Sequence, residues 1–211
     1  RWPRRGCSTS GRNTGAGWVT QYVERTAGGW SAPRGDGFVP GGSSSFTHSG
    51  RVYYSAGMTT KVWNTGIFGA RYAADGLSDA KPLDETINVP NAIDYTPYVS
   101  PDESFLLFSS NRPLIGDKEA MFVQVAFRKR DGTWSRPQRL SEIPARFPSL
   151  SPDGKYLFFC GDDGNFYWVN RTFMDRLNAQ EIPTDSLYLG QTPPGTTPKV
   201  FPLAVAANSF S

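Results

Sequence analysis

The chain has 211 residues, of which 38% are hydrophobic and 14% aromatic, with 22 glycines and 17 prolines. This composition excludes a disordered chain, which lacks aromatic residues, and a helical bundle, which tolerates little Gly and Pro, and it favours many short strands joined by turns. The net charge is +3 and the basic residues are spread out, so we expect no nucleic-acid partner, because nucleic acid requires a basic face.

Three regions are predicted in chain order. Residues 1–16 are expected to be an irregular N-terminal segment, because Arg-Trp-Pro-Arg-Arg-Gly at 1–6 is a poor strand sequence. Residues 17–178 are predicted to form β-sheet blades, and residues 179–211 a Pro- and Gly-rich extended tail. The chain begins at Arg1 without Met or a signal peptide, which indicates a processed product or a fragment. The sequence has no apolar run of membrane-spanning length, so we expect no membrane span.

Internal repetition is the strongest signal in the sequence. Ser-Pro-Asp-Glu at 100–103 and Ser-Pro-Asp-Gly at 151–154 start 51 residues apart, and an apolar run follows each of them. A degenerate copy, Thr-His-Ser-Gly, lies at 47–50. A second motif, Trp-Ser-x-Pro, begins at Trp30 and again at Trp134, about two repeat lengths later. Two motifs in the same phase indicate one structural repeat of about 50 residues.

Each repeat is predicted to contain four antiparallel strands. The first ends at the Ser-Pro-Asp-Gly turn, where Pro fixes φ and Asp-Gly favours a turn. The second is a nearly continuous apolar run, at 104–110 and 155–160, which is typical of a strand covered on both faces. The third lies at 121–127 and 165–170. The fourth carries the Trp-Ser-x-Pro motif and is predicted at the outer edge of its sheet, because Pro donates no ladder hydrogen bond.

Repeats of this length with four strands each are what a β-propeller requires. The segment 96–113, Thr-Pro-Tyr-Val-Ser-Pro-Asp-Glu-Ser-Phe-Leu-Leu-Phe-Ser-Ser-Asn-Arg-Pro, resembles the WD-like propeller repeats of TolB type. Segments 149–159, 21–26 and 166–169 extend the resemblance. The expected fold is therefore all-β: a partial propeller of about three to four four-stranded antiparallel blades, of a type that has six when intact.

The resemblance also implies a periplasmic or extracellular protein, although this chain carries no targeting signal. Three to four blades cannot close such a ring, and the end faces would expose apolar side chains, so we expect self-association that completes the propeller. Residues 188–195 resemble the lead-in before the first blade of such proteins. Their place after the blades indicates a permutation, a fusion or a frame error, and we expect the tail to reach across to the partner.

Propellers bind ligands at the mouth of the central channel, where the loops before the innermost strands converge. By the repeat phase these positions are 41–42, 94–95 and 145–146. The candidate ligand-binding residues are therefore Asp94, Tyr95 and Arg146, unless these loops only cap the sheet. As loop residues they are expected to be exposed, whereas Phe108 and Phe158 are expected in the core.

Three other sets of polar residues are assigned mainly to structural roles. Arg112 is a further ligand-binding candidate, although a structural hydrogen bond to neighbouring backbone is favoured. Asp102 and Asp153 are assigned to their turns, where Asp bonds nearby amides. The oxygen-rich segment 162–165 only faintly resembles a calcium loop and is assigned as a turn. We expect no metal and no cofactor.

The sequence offers little for catalysis. His48 is the only histidine, so a Ser-His-Asp hydrolase would need it as the base, and the sequence has no Gly-x-Ser-x-Gly elbow. One histidine also cannot build a histidine-ligated metal site. The spacing of Cys7 and Cys160 does not decide between a disulfide and two thiols. No catalytic residue is assigned.

Three functions stay open. The favoured one is a non-catalytic binding or scaffold module with a protein, peptide or glycan ligand. The second is a carbohydrate- or peptide-degrading hydrolase or lyase with carboxylates at the channel mouth, where Asp94 with Glu142 or Asp84 could form the pair that glycosidases need. The third is a truncated fragment without independent function.

Overall fold

The computed structural model describes residues 7–13, 18–34, 43–58, 65–73, 76–112 and 120–179. Residues 1–174 form one compact unit, and residues 175–211 belong to a second, of which only 175–179 are described. Most of the predicted tail, and the candidate loop at 41–42, therefore lie outside the described residues.

Fourteen strands in these ranges form four antiparallel sheets, which we call blades I to IV. Blade I contains β1 Cys7–Asn13, β2 Trp18–Thr26 and β3 Gly29–Trp30. Blade II contains β4 Ser44–Phe46, β5 Arg51–Gly57, β6 Thr65–Ala73 and β7 Gly76–Pro82. Blade III contains β8 Asp94–Val99, β9 Phe105–Ser110, β10 Phe122–Phe127 and β11 Gln138–Arg139. Blade IV contains β12 Ala145–Leu150, β13 Tyr156–Gly161 and β14 Phe166–Asn170, and helix α1 Thr172–Ala179 follows it.

The fold is an all-β partial propeller, as predicted. Blades II and III are complete four-stranded meanders, blade I has the second to fourth strands of the repeat, and blade IV has the first three. The second and third strands predicted in blades III and IV are confirmed within one residue. The strands β3, β7 and β11 lie at sheet edges, which confirms the predicted place of the fourth strand.

The N-terminal segment differs from the expectation. Residues 1–16 were expected to be irregular, but β1 pairs with β2 along its whole length, from Cys7 opposite Glu24 to Asn13 opposite Trp18. Strand formation depends more on the available partner than on the intrinsic preference of the segment. The paired residues are 7–13, and the unfavourable sequence at 1–6 lies outside the described residues.

The two tryptophan motifs occupy equivalent places in blades I and III. Trp30 lies opposite Arg25, and Trp134 lies opposite Arg128. In each case the guanidinium carbon lies over the indole ring, at 5.4 Å and 4.7 Å from its centroid. Both copies of the motif thus form the same cation–π pair, with an arginine at or just beyond the end of the third strand.

A hydrophobic core lies between blades II and III. Its buried members come from both blades and from the loop between them: Tyr53, Ile67, Ile87, Val99, Leu106, Phe108, Ala126 and Trp134. Side chains alternate between the two faces of a strand, so Leu106 and Phe108 face blade II. All six residues of β9 are buried, which confirms the prediction of a strand covered on both faces.

Polar contacts fix how blade II meets blade III. Near the turns, the His48 amide donates to the Pro101 carbonyl at 2.8 Å. In the innermost strands, the Val99 amide donates to the Ser45 hydroxyl at 3.0 Å. Hydrophobic packing has no preferred direction, so these directional bonds are what set the blade register.

Glu103 explains why one turn departs from the Ser-Pro-Asp-Gly pattern. Its φ is 61°, the left-handed conformation that Gly154 adopts with a φ of 71° in blade IV. The Glu103 carboxylate accepts hydrogen bonds from the hydroxyls of Ser49 and Tyr53, the latter at 3.1 Å, and lies 3.8 Å from Arg51 Nε. The unfavourable backbone conformation is therefore offset by bonds to blade II.

Tyr53 should make stability sensitive to alkaline pH. Burial, with the Glu103 carboxylate as the next cause, raises the pKa of Tyr53 from 10.0 to about 12. The folded state keeps the proton that the unfolded state loses, so stability is full below pH 10 and falls as the pH rises to about 12. We expect Tyr53→Phe to remove up to about 3 kcal/mol of this alkaline loss. Urea unfolding of the wild type and of Tyr53→Phe across this pH range measures the loss of stability. An equal loss in the two proteins would contradict the prediction.

The predicted core position of Phe158 is wrong. Phe108 is fully buried, but Phe158 is 36% exposed, because within the described residues no further blade lies on the outer face of blade IV. Leu107, which stands 51 residues before Phe158, is fully buried, so this position of the repeat has different surroundings in blades III and IV.

We expect Phe108→Ala to lower the free energy of unfolding by about 3–5 kcal/mol, as for an aromatic side chain removed from a packed core. Phe158→Ala should lower it by less than half as much, because part of that ring already contacts water. Urea unfolding at low protein concentration gives both values. Equal losses would show that blade IV is covered in the isolated chain.

Candidate functional site

The candidate residues at the channel mouth lie at the beginnings of two neighbouring inner strands. Asp94 and Tyr95 begin β8, and Ala145 and Arg146 begin β12, so they are strand residues rather than residues of the preceding loops. The pairing register shifts after Tyr95 in β8 and after Arg146 in β12. The same bulge therefore occurs at the same place in blades III and IV.

A left-handed residue followed by proline lies within each bulge. The φ of Thr96 is 51° and that of Phe147 is 58°, and the two positions are 51 residues apart. Neither a β-branched nor an aromatic residue favours this conformation, so the backbone is strained at both places. Strained positions of this kind cluster at ligand sites, which draws attention to the side chains around them.

Four side chains meet at the second bulge, and we call them the mouth cluster: Tyr95, Arg146, Phe147 and Asp162. The rings of Tyr95 and Phe147 are edge to face at 6.3 Å, and Phe147 is 56% exposed. Arg146 Nε lies 3.2 Å from Asp162 Oδ1, and both side chains are more than a third exposed. The cluster thus combines an exposed aromatic surface with an accessible ion pair.

Electrostatics keep Tyr95 protonated. Burial raises the pKa of Tyr95 to about 12, the cationic Arg146 opposes this, and the Asp162 carboxylate adds to it. At neutral pH the phenol is therefore a hydrogen-bond donor and not a base.

Ser109 holds the two bulges together. Its hydroxyl lies 2.6 Å from the hydroxyl of Thr96 in its own blade, and it accepts the Phe147 amide of blade IV at 3.3 Å. Ser109 is fully buried, so these bonds are protected from water. The mouth cluster is consequently fixed on the seam between two packed blades.

Asp94 was expected to be exposed, and this expectation is wrong. Its side chain is 1% exposed, and its Oδ1 accepts a bond of 2.7 Å from Arg112 Nη2. Burial raises the pKa of Asp94, while Arg112 and Ser110 oppose the rise. Because successive side chains alternate across a strand, Asp94 points to the opposite face of β8 from Tyr95.

Arg112 has the structural role that the sequence favoured. It donates to the Ile87 carbonyl and, through Nε, to the Ser110 hydroxyl at 2.9 Å, in addition to Asp94. The structure therefore brings Tyr95 and Arg146 together and places Asp94 and Arg112 in a separate buried network.

Phe147 and Asp162 are members of the mouth cluster that the sequence did not single out. Phe147 could have been found, because Phe147-Pro148 repeats Thr96-Pro97 at the repeat spacing. Asp162 had been interpreted only as part of a turn, and its pairing with Arg146 has no local sequence signal.

A cavity lies between the turns of blades III and IV, at the end of the innermost strands opposite the mouth cluster. Its volume is about 280 Å³. The Arg171 guanidinium carbon lies 5.4 Å from the centre of the Phe105 ring on its wall. His48, the only histidine, is an exposed turn residue at the edge of this cavity. The histidine is thus at the opposite end from the mouth cluster.

The acidic turn residues are engaged in their own turns. Asp102 Oδ1 accepts the Ser104 amide at 3.1 Å, and Asp153 Oδ1 accepts the Lys155 amide at 3.1 Å. The Ser151 hydroxyl and the Lys155 amide hold the pKa of Asp153 below its usual value. The assignment of both carboxylates to turn structure is therefore confirmed.

Three further observations concern chemistry and location. In the described ranges, no group of three or more His, Cys, Asp and Glu side chains converges as a metal site would require. Cys160 is a half-buried free thiol. None of the described residues forms a helix long and apolar enough to cross a membrane.

No protein-family model and no curated protein matches the chain. Among solved structures it is similar to puromycin hydrolase, with 17% identity and a TM-score of 0.44, over 80% of this chain and 29% of that one. A mutant of that hydrolase complexed with PGG has 17% identity and a TM-score of 0.43, again over 80% of this chain and 29% of that one. A protein from Lactobacillus plantarum has 17% identity and a TM-score of 0.36, over 79% of this chain and 52% of that one. The chain thus spans about a third to a half of these proteins. The blades themselves define the class of protein, a partial β-propeller.

The buried and the exposed ion pair should respond differently to substitution. Asp94→Asn leaves the mostly buried Arg112 without its charge partner and should cost about 3–5 kcal/mol of stability. Arg146→Ala breaks an exposed pair and should change stability by no more than about 0.5 kcal/mol. Urea unfolding at neutral pH compares the two, and similar small effects would contradict the structural role of Asp94.

Proposed function

We propose that the chain is a non-catalytic binding module of the secreted or periplasmic, TolB-like type. Its ligand is a protein, peptide or glycan segment that binds at the mouth cluster. The observation that carries this proposal is Phe147, whose strained backbone presents an aromatic ring to solvent beside Tyr95. The two rings lie edge to face on a rigid seam beside an accessible ion pair, and this combination of exposed aromatic and polar groups favours a binding role.

The chemistry of the cluster suits such a ligand. Aromatic faces pack against the apolar side of a sugar ring or against side chains of a peptide. Arg146 offers guanidinium donors, Asp162 offers carboxylate acceptors and Tyr95 offers a phenol donor. These groups surround Phe147 without a nucleophile and base in contact, which supports binding rather than turnover.

The hydrolase or lyase alternative gains no support from this geometry. A carboxylate mechanism needs two acids free to act on substrate. Asp94 is committed to Arg112 in the buried network, and Asp84 Oδ1 accepts the Thr86 amide at 3.0 Å. Asp162, the carboxylate within the mouth cluster, is paired with Arg146. The binding module is therefore the function that we put forward.

The test is a ligand screen followed by matched variants. Thermal-shift measurements against peptide and oligosaccharide panels identify binders, and calorimetry gives their affinities. We expect Phe147→Ala and Arg146→Ala each to weaken binding about ten-fold or more, equivalent to at least about 1.4 kcal/mol, with little change in melting temperature.

Trp30→Ala is the control, because Trp30 is an aromatic residue of similar exposure in blade I, outside the mouth cluster. The affinity of this variant for every ligand identified in the screen should equal that of the wild type. A ligand whose affinity is unchanged by both mouth variants would place binding elsewhere and reject the proposal.

A further inference from the structure

The outer face of blade IV carries an exposed aromatic surface. Cys160 lies opposite Phe166 and Phe158 lies opposite Trp168, so these side chains share one face of the sheet with Tyr156. Phe166 is 81% exposed and Trp168 is 64% exposed. We call this surface the blade IV face.

The aromatic rings on this face contact one another. Trp168 lies 5.0 Å from Tyr156 and 6.4 Å from Phe158 between ring centroids. Single exposed apolar residues are common on protein surfaces, but a contiguous group of them marks an interaction site. The five side chains are uncharged, and the charged Arg146 lies beside them, opposite Cys160 and paired with Asp162. The face therefore has an apolar centre and a charged edge, as protein interfaces do.

The repeat shows what covers such a face. Positions 156, 158 and 160 stand 51 residues after Phe105, Leu107 and Ser109 of blade III. Those three residues are buried, and Ser109 accepts a hydrogen bond from the Phe147 amide of blade IV. The equivalent face of blade III is therefore covered by the next blade, and the blade IV face continues the same stack.

We propose that the blade IV face is a self-association surface, and that it binds a blade of a second copy of this chain. The second copy is the occupant because it is built from the same repeats, and blades of this repeat pack face to face at the II–III and III–IV seams. Closed two-fold association is also the commonest arrangement of homo-oligomers. The proposal does not depend on the ligand site at the mouth cluster.

The test uses the full chain and the double variant Phe166→Ser with Trp168→Ser. Light scattering over increasing concentration should give the wild type twice the 23.2 kDa mass of one chain, and the double variant the mass of one chain. Both positions are exposed, so the double variant should unfold at the same denaturant concentration as the wild type when each protein is dilute. Trp30→Ser, at an exposed tryptophan in blade I, should dimerise like the wild type.

Cys160 locates the interface independently. In a Cys7→Ser background, its reaction with a thiol reagent should slow as the protein associates, and the double variant should show no slowing. A wild type that stays monomeric at all concentrations would overturn the proposal. Unchanged dimerisation of the double variant, or a Cys160 reaction rate that ignores association, would overturn it equally.

Discussion

The second strand of each blade carries apolar side chains on both faces of its sheet, so such a blade is stable only where another layer covers each face. β9 meets this condition, with blade II on one side and blade IV on the other, and all six of its residues are buried. β13 has one neighbouring blade among the described residues, and there Leu157 is buried while Phe158 is exposed. The packing of blade II on blade III and of blade III on blade IV therefore holds this part of the fold together, as in other repeat proteins.

Directional bonds convert this packing into a fixed geometry. Glu103 links blade III to blade II at the turn end, and Ser109 links blade III to blade IV at the bulges of β8 and β12. Both links involve residues with left-handed backbone, Glu103 in the first and Thr96 and Phe147 in the second. Three of the five described non-glycine residues with positive φ therefore lie where blades meet. The side chains of the mouth cluster are therefore held in fixed positions, because they lie on strands that pack against neighbouring blades.

The repeat phase predicted the features that local patterns encode. Strand order, the outer-edge tryptophans and the turn carboxylates all follow from Pro, Asp-Gly and alternating apolar residues. The burial of Asp94 did not follow, because the bulge after Tyr95 decides which face each side chain takes. The exposure of Phe158 did not follow either, because it depends on what lies beyond blade IV. Long-range pairing, such as that of Arg146 with Asp162, leaves no trace in sequence spacing.

The mouth cluster and the blade IV face are adjacent, because Arg146 lies directly opposite Cys160 in the sheet. In blade III the equivalent of Cys160 is Ser109, whose hydroxyl accepts the amide of the next bulge. A thiol is a weaker acceptor than a hydroxyl. A blade that packs on the blade IV face would therefore make a weaker hydrogen bond to Cys160 than blade IV makes to Ser109. Association there should therefore be weaker than the seam between blades III and IV. A reversible contact beside the proposed ligand site would let binding at one surface affect binding at the other, since each borders the same strand, β12.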